Sequence, residues 1–254
     1  MYELNKDELK TIKEISDKDY MRAVLQKLDN FINVSKSKKT YLKAFNEIYS
    51  SIINSKEEND ALLETKRQNG YIKSIEQARK SIAGSVFSNS IIYVFLKNKE
   101  IGNIRGDIFI TSKRKTVPDF DNISTIKVGD ETQKPDCDLI IYTLNQENKL
   151  NKCIILSLKT SLRERAGQTY KWKLLMEIAN SDNSIKDKYD IVYNPTVNPL
   201  VCFATINFYN EINNPQQRGM FKFFDSSFIA RNLENKGAFI NYMSELAAFV
   251  NREL

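Results

Sequence analysis

The stretch PDCDLIIYTLNQENKLNKCIILSLK, residues 135–159, decides the fold. PDCDLIIYTL reads as a strand, NQENKLN as a polar turn and KCIILSLK as a second strand that ends on Lys159. Strand side chains alternate between faces, so Cys153, Ile155, Ser157 and Lys159 share one face while Ile154, Leu156 and Leu158 share the other. Asp136 and Asp138 likewise share a face on the first strand. Pairing the two strands as a hairpin would bring two carboxylates, a hydroxyl and a lysine to one edge of a sheet.

Outward from this hairpin, SLRERAGQTYKWKLLMEIAN reads as a helix and LVCFATINFY as a further strand. Phe239, Tyr242, Met243, Leu246, Phe249 and Val250 recur as the apolar face of a terminal helix. Upstream, DIFITSKRKTVPDFDN suggests a strand and then a loop that carries Lys113, Arg114 and Lys115 and breaks at Pro118. The first hundred residues read as helices. Ser55-Lys56-Glu57-Glu58 has the capping-box pattern, and Ile72, Ile75, Ala78, Ile82, Val86 and Phe87 fall at helical spacing. The expected fold class is therefore α/β (α+β), a central mixed sheet flanked by helices. A helical N-terminal region over residues 1–100 and a core over 101–254 would join as one continuous globular unit.

Composition narrows the chemistry. Residues amount to 254, of which 41% are hydrophobic and 28% charged, values of an ordinary globular chain able to bury a large core. The longest apolar run, Ile91 to Leu96 with Tyr93 inside it, is far short of the roughly 20 residues of a membrane helix. The charged start MYELNKDELK lacks a signal-peptide core, so a cytoplasmic location with no membrane association is expected. Cys137, Cys153 and Cys202 lie in apolar strand contexts and read as buried thiols. The net charge of +6 suits a polyanionic partner without requiring one. Histidine is absent altogether, which removes imidazole bases, Ser-His-Asp and Cys-His catalysis, and histidine-held metals. Carboxylates, lysine and hydroxyls are left to carry any catalysis.

Pro135-Asp136 at a strand start, followed by Ser157-Leu158-Lys159 at the end of the next strand, resembles the PD-(D/E)XK nuclease motif. The continuation Lys159-Thr160-Ser161-Leu162-Arg163-Glu164-Arg165 resembles a stretch of type II restriction endonucleases. The resemblance covers about residues 134–180. It implies a restriction-endonuclease-like fold, Mg²⁺-dependent hydrolysis of double-stranded DNA at a short specific site, a homodimer, and a cognate DNA methyltransferase that protects the host genome.

In that chemistry a hard cation polarises the phosphate and lowers the pKa of the attacking water, and oxygen ligands hold it. Asp136 is the expected anchor ligand. Lys159 would orient or help deprotonate the water and oppose charge on the phosphorane. A rival anchor, Asp119 after Pro118, lacks a following apolar strand. Ser157 departs from the family pattern, which has Asp or Glu there, so the acidic function must come from another position. Asp138 is sterically easy. Glu164, five residues past Lys159, competes equally but also fits a capping box with Ser161; Glu177, eighteen past Lys159, ranks third. Ser157 itself has no partner base and reads as a supporting hydroxyl.

Arg163 and Arg165, placed where a helix should start, suit phosphate contacts. Lys113, Arg114 and Lys115, with Gln216, Gln217 and Arg218 in NNPQQRGMFK, suit DNA contacts, although polar surface loops would look the same. Trp172 is expected in the core, and Lys171 and Lys173 as solvated charges. Two other readings stand beside the restriction enzyme: a repair or resolvase nuclease of the same superfamily, and a DNA-binding protein whose catalytic centre has decayed at Ser157.

Overall fold

Side-chain caps set the start of several N-terminal helices. In the computed structural model, which describes residues 2–162 and 166–254, Asn5 and Glu8 form a capping box ahead of α1 (Lys6–Ser16). Helices α2 (Arg22–Asn33), α3 (Lys38–Lys43), α4 (Ile48–Ile53) and α5 (Lys56–Gln68) follow, with α3 capped by Ser37. Ser74 caps α6 (Ile75–Glu100), whose second half from Val86 is almost wholly buried. Such a helix is a core element rather than a surface one. It carries Lys99, fully buried and held by Glu8 Oε1 at 2.5 Å with the Tyr2 ring below the ammonium.

The rest of the chain is built on two sheets. Strands β1 (Phe109–Thr111), β4 (Leu139–Leu144), β5 (Leu150–Lys159), β7 (Leu200–Thr205), β8 (Ser226–Ile229) and β9 (Asn241–Tyr242) lie side by side in that order in a six-stranded sheet. β4 pairs antiparallel with β1 and β5, whereas β5 pairs parallel with β7, so the sheet is mixed. A parallel pair needs a crossover, and the helices α8 (Ala166–Ala179) and α9 (Ser184–Lys188) lie in that connection. A smaller sheet orders β3 (Glu131–Gln133), β2 (Ile126–Val128) and β6 (Ile191–Val192), next to the short helix α7 (Phe120–Ile123). Two further helices, α10 (Pro215–Gly219) and α11 (Leu246–Glu253), complete the described elements.

The hairpin turn between β4 and β5 has a local cause. The Asn145 side chain accepts from the backbone N–H of Glu147 and Lys149, and Asn148 takes the left-handed conformation that asparagine tolerates. Ile140, Ile141, Ile154, Ile155, Leu156, Val201 and Cys202 are completely buried, as a central sheet covered on both faces requires. All three cysteines are buried thiols. No described helix is long and apolar enough to cross a membrane.

Two compact units emerge. One holds the residues up to Gly106 with Ile229–Asn235 and Tyr242–Glu253; the other holds Asp107–Phe228, Lys236–Asn241 and Leu254. The mixed α+β architecture with a central sheet and a helical N-terminal region matches the expected class.

Several local expectations need correction. Ser55 precedes α5 without capping it, because its hydroxyl donates to the Ser51 carbonyl instead. Ile72 lies before α6, since Ser74 fixes the first turn. The terminal helix begins at Leu246 after a 3₁₀ turn, leaving Phe239 and Tyr242 outside it. The helix after Lys159 is described from Ala166, not from Ser161.

Because Leu156 is fully buried in the strand that leads to Lys159, Leu156→Ala should cost about 2–5 kcal/mol by leaving a cavity. A lower denaturant midpoint with an unchanged slope is the expected signature.

Candidate active site

The register of the β4–β5 hairpin builds this site. Leu139 pairs with Leu156, and the Asp138 amide still donates to the Leu156 carbonyl at 3.3 Å beyond the last paired residue. Continuing the antiparallel register sets Asp138 against Ser157 and Asp136 against Lys159. The side chains close this geometry: Lys159 Nζ donates to Asp136 Oδ2 and lies 3.6 Å from Asp138 Oδ2. Asp138 Oδ2 also accepts from the Leu158 amide at 2.7 Å, which fixes that carboxylate to the strand.

These groups occupy a graded environment. Lys159 is 11% exposed, Asp138 35% and Asp136 43%, so the ammonium is sheltered and the Asp136 carboxylate faces outward. Burial raises the Asp138 pKa above the ordinary carboxylate range, against the pull of the Leu158 amide and the Lys159 charge. Cys137, between the two aspartates, is no nucleophile. Burial pushes its thiol up to about 12, and its Sγ points at the Leu139 carbonyl.

Ser157 takes a different direction from its carboxylate neighbours. It is fully buried, with its hydroxyl 3.2 Å from that of Thr169 on α8. Ser157 thus makes a strand-to-helix hydrogen bond.

The chemistry of the donor set suits a hard divalent cation. Two carboxylates converge on one point, and Mg²⁺ is commonly held by one or two carboxylates with water and substrate oxygens completing the octahedron. Among the described residues no group of three or more Cys, Asp or Glu side chains gathers as a self-sufficient metal cage. In this geometry Lys159 is the cation that neutralises the two aspartates.

The remaining candidates divide clearly. Arg114 donates from Nη2 to the Cys137 carbonyl at 2.9 Å, which brings the exposed Lys113–Lys115 turn beside the aspartates. The rival Asp119 is engaged elsewhere, accepting from the Thr196 hydroxyl at 2.5 Å with its own backbone left-handed. Glu177 lies on α8 and pairs with Lys173 at 2.5 Å. Gln216 is exposed on α10, the Gln217 carbonyl oxygen is buried with no hydrogen-bond partner among the described residues, and Arg218 reaches back to the Ile212 carbonyl. Arg163, Glu164 and Arg165 lie outside the described residues. Trp172 is buried as expected.

Lys173 corrects the expectation of a solvated charge. It is 3% exposed, and its ammonium donates to both carboxylate oxygens of Asp225 at 2.9 Å. Sequence pattern gave no warning, because a single lysine in an amphipathic helix is normally surface. Thr169, Asp225 and Glu211 were missed for the same reason, since each acquires its role from a distant partner. Glu211 accepts from the Ser161 hydroxyl at 2.5 Å and thereby ties the segment after Lys159 to the loop that leads into α10.

A mixed sheet flanked by helices, with a helical N-terminal region, is a restriction-endonuclease-like fold. The sequence agrees. Residues 115–249, just over half of the chain, match the family described as BsaWI restriction endonuclease type 2. The chain belongs to this family, which makes it a restriction endonuclease with DNA as substrate. The matched segment contains both strands of the candidate site. No curated protein matches the sequence.

A folded-state pKa above the unfolded one means that the native protein binds the Asp138 proton more tightly. That stabilisation is present below the unfolded pKa and is lost as pH rises through the folded pKa. Asp138→Asn removes the titration, so the variant should gain stability relative to wild type as pH rises above the ordinary aspartate pKa of about 4. Denaturant unfolding across that range reads the difference; a flat or falling difference would contradict the assignment.

Proposed function

We propose that the protein is a type II restriction endonuclease that hydrolyses both strands of double-stranded DNA at a short specific site, with Mg²⁺ as cofactor and the β4–β5 strand ends as catalytic centre. The observation that carries this reading is the convergence of Asp136, Asp138 and Lys159. Asp136 and Asp138 would hold the cation; Mg²⁺, when bound, supplies charge stabilisation at the phosphate and an acidified water. Asp138 takes the acidic role that Ser157 lacks. It is anchored by the Leu158 amide and already faces Lys159, whereas Glu177 is committed to Lys173.

Each residue then has a separate task. Lys159 would turn from the aspartates toward the scissile phosphate, orient the attacking water and oppose the charge that builds in the transition state. Asp136, the more exposed carboxylate, faces the substrate side. Ser157 keeps the strand seated beneath α8 through Thr169. Lys113, Arg114 and Lys115 sit where a DNA backbone would pass the aspartates, with Arg163 and Arg165 as further phosphate contacts and Gln216, Gln217 and Arg218 as base readers.

The whole enzyme would act as a homodimer, because a two-fold protein suits a palindromic site. The helical N-terminal region would supply dimer contacts and part of the DNA grip. A cognate methyltransferase would protect host DNA.

Digestion of a long unmethylated DNA of known sequence should give discrete fragments only with Mg²⁺, and Lys159→Ala should cut at least about 100-fold more slowly. Intact DNA that is retarded in a gel would instead identify a decayed binding protein. Lys159→Ala also removes the resident counter-ion of the two aspartates. Calorimetric titration should therefore show Mg²⁺ bound no more weakly than by wild type, while Asp136→Ala loses the binding.

A further inference from the structure

We infer that Lys173 and Asp225 form a positioning pair for the catalytic strand, a role that rests on the proposed centre at Lys159. Lys173 is a charged group buried to 3% exposure in a helix, and nothing in the proposed chemistry uses it. Burying a charge costs several kcal/mol, so the pair is a poor device for stability alone. Its geometry shows what it holds. Lys173 Nζ donates to both oxygens of Asp225, and it also pairs with the exposed Glu177 one turn along α8. Burial opposes its charge, but the hydrogen bonds that it donates to Glu177 and Asp225 outweigh that and raise its pKa.

Asp225 is itself clasped to a strand. Its Oδ2 accepts from the Val201 amide at 2.7 Å and its own amide donates to the Val201 carbonyl at 3.0 Å. Val201 belongs to β7, the parallel neighbour of β5, and in that register Val201 pairs with Ile155 and Thr205 with Lys159. One turn before Lys173 on the same helix, Thr169 meets the Ser157 hydroxyl. Helix α8 is thus bound by two polar contacts one turn apart, one to β5 beside Lys159 and one through Asp225 to β7. Apolar packing tolerates sliding and rotation, whereas two directional contacts specify a single setting. The frame closes past the catalytic residue, where the Phe208 amide donates to the Thr160 carbonyl. Lys173 and Asp225 therefore lock α8 against β5 and β7, and so fix where the strand end presents Lys159.

The test uses a charge-free version of the pair. Lys173→Met with Asp225→Asn keeps volume and an acceptor for the Val201 amide, and replacing a buried pair by neutral groups is often harmless to stability. In the full-length enzyme, single-turnover cleavage with Mg²⁺ gives the chemical step, and DNA binding with Ca²⁺ in place of Mg²⁺ gives affinity. A positioning role predicts a cleavage rate lowered about 10- to 100-fold with DNA affinity within about 2-fold of wild type and little change in melting temperature. A wild-type cleavage rate in the double variant would overturn the inference. If the double variant unfolds, Lys173→Arg decides instead: it keeps the charge but not the geometry, and a normal cleavage rate in it would equally overturn the proposal. Absence of cutting by wild type would strike the proposed function itself, a result separable from both.

Discussion

The antiparallel register of β4 against β5 is the constraint on which the site depends. Because Leu139 faces Leu156, the two strand ends must set Asp138 and Asp136 opposite Ser157 and Lys159. A shift by one residue would turn every side chain to the opposite face and separate the aspartates from the lysine. The register is held by the completely buried apolar residues of both strands and by a turn in which Asn145 and Asn148 do specific work. Packing in the sheet interior and the position of charge at its edge are thus one problem.

The edge reconciles two opposed demands. A carboxylate pair must stay ionised to hold a cation, yet a sheet end shelters it from water and raises the pKa of Asp138. Lys159 offsets the charge of both aspartates at this edge.

The hairpin and its flanking helix were legible because alternation and apolar runs are strong where strands are long. The three-stranded sheet was not, since strands of two or three residues, such as Ile191–Val192, carry no period to read. The pairing of Asp136 with Lys159 was readable from register alone. The fate of Ser157 was not, because its hydroxyl is directed by Thr169, a residue twelve positions on whose only sequence signal is that of an ordinary helix residue. Lys173 shows the same limit more sharply. Its charge predicts exposure, and only Asp225, fifty-two residues away, makes burial tolerable. Features set by local periodicity are visible in a sequence, whereas those set by a distant polar partner appear only with the fold.

Which carboxylate joins Asp136 is measured most directly by single-turnover DNA cleavage with Asp138→Asn, Glu164→Gln and Glu177→Gln. If the strand ends form the catalytic centre, Asp138→Asn abolishes cleavage while Glu164→Gln and Glu177→Gln stay within a few-fold of wild type. Full cleavage by Asp138→Asn together with its loss in Glu164→Gln or Glu177→Gln would contradict this assignment and move the acidic function off the strand.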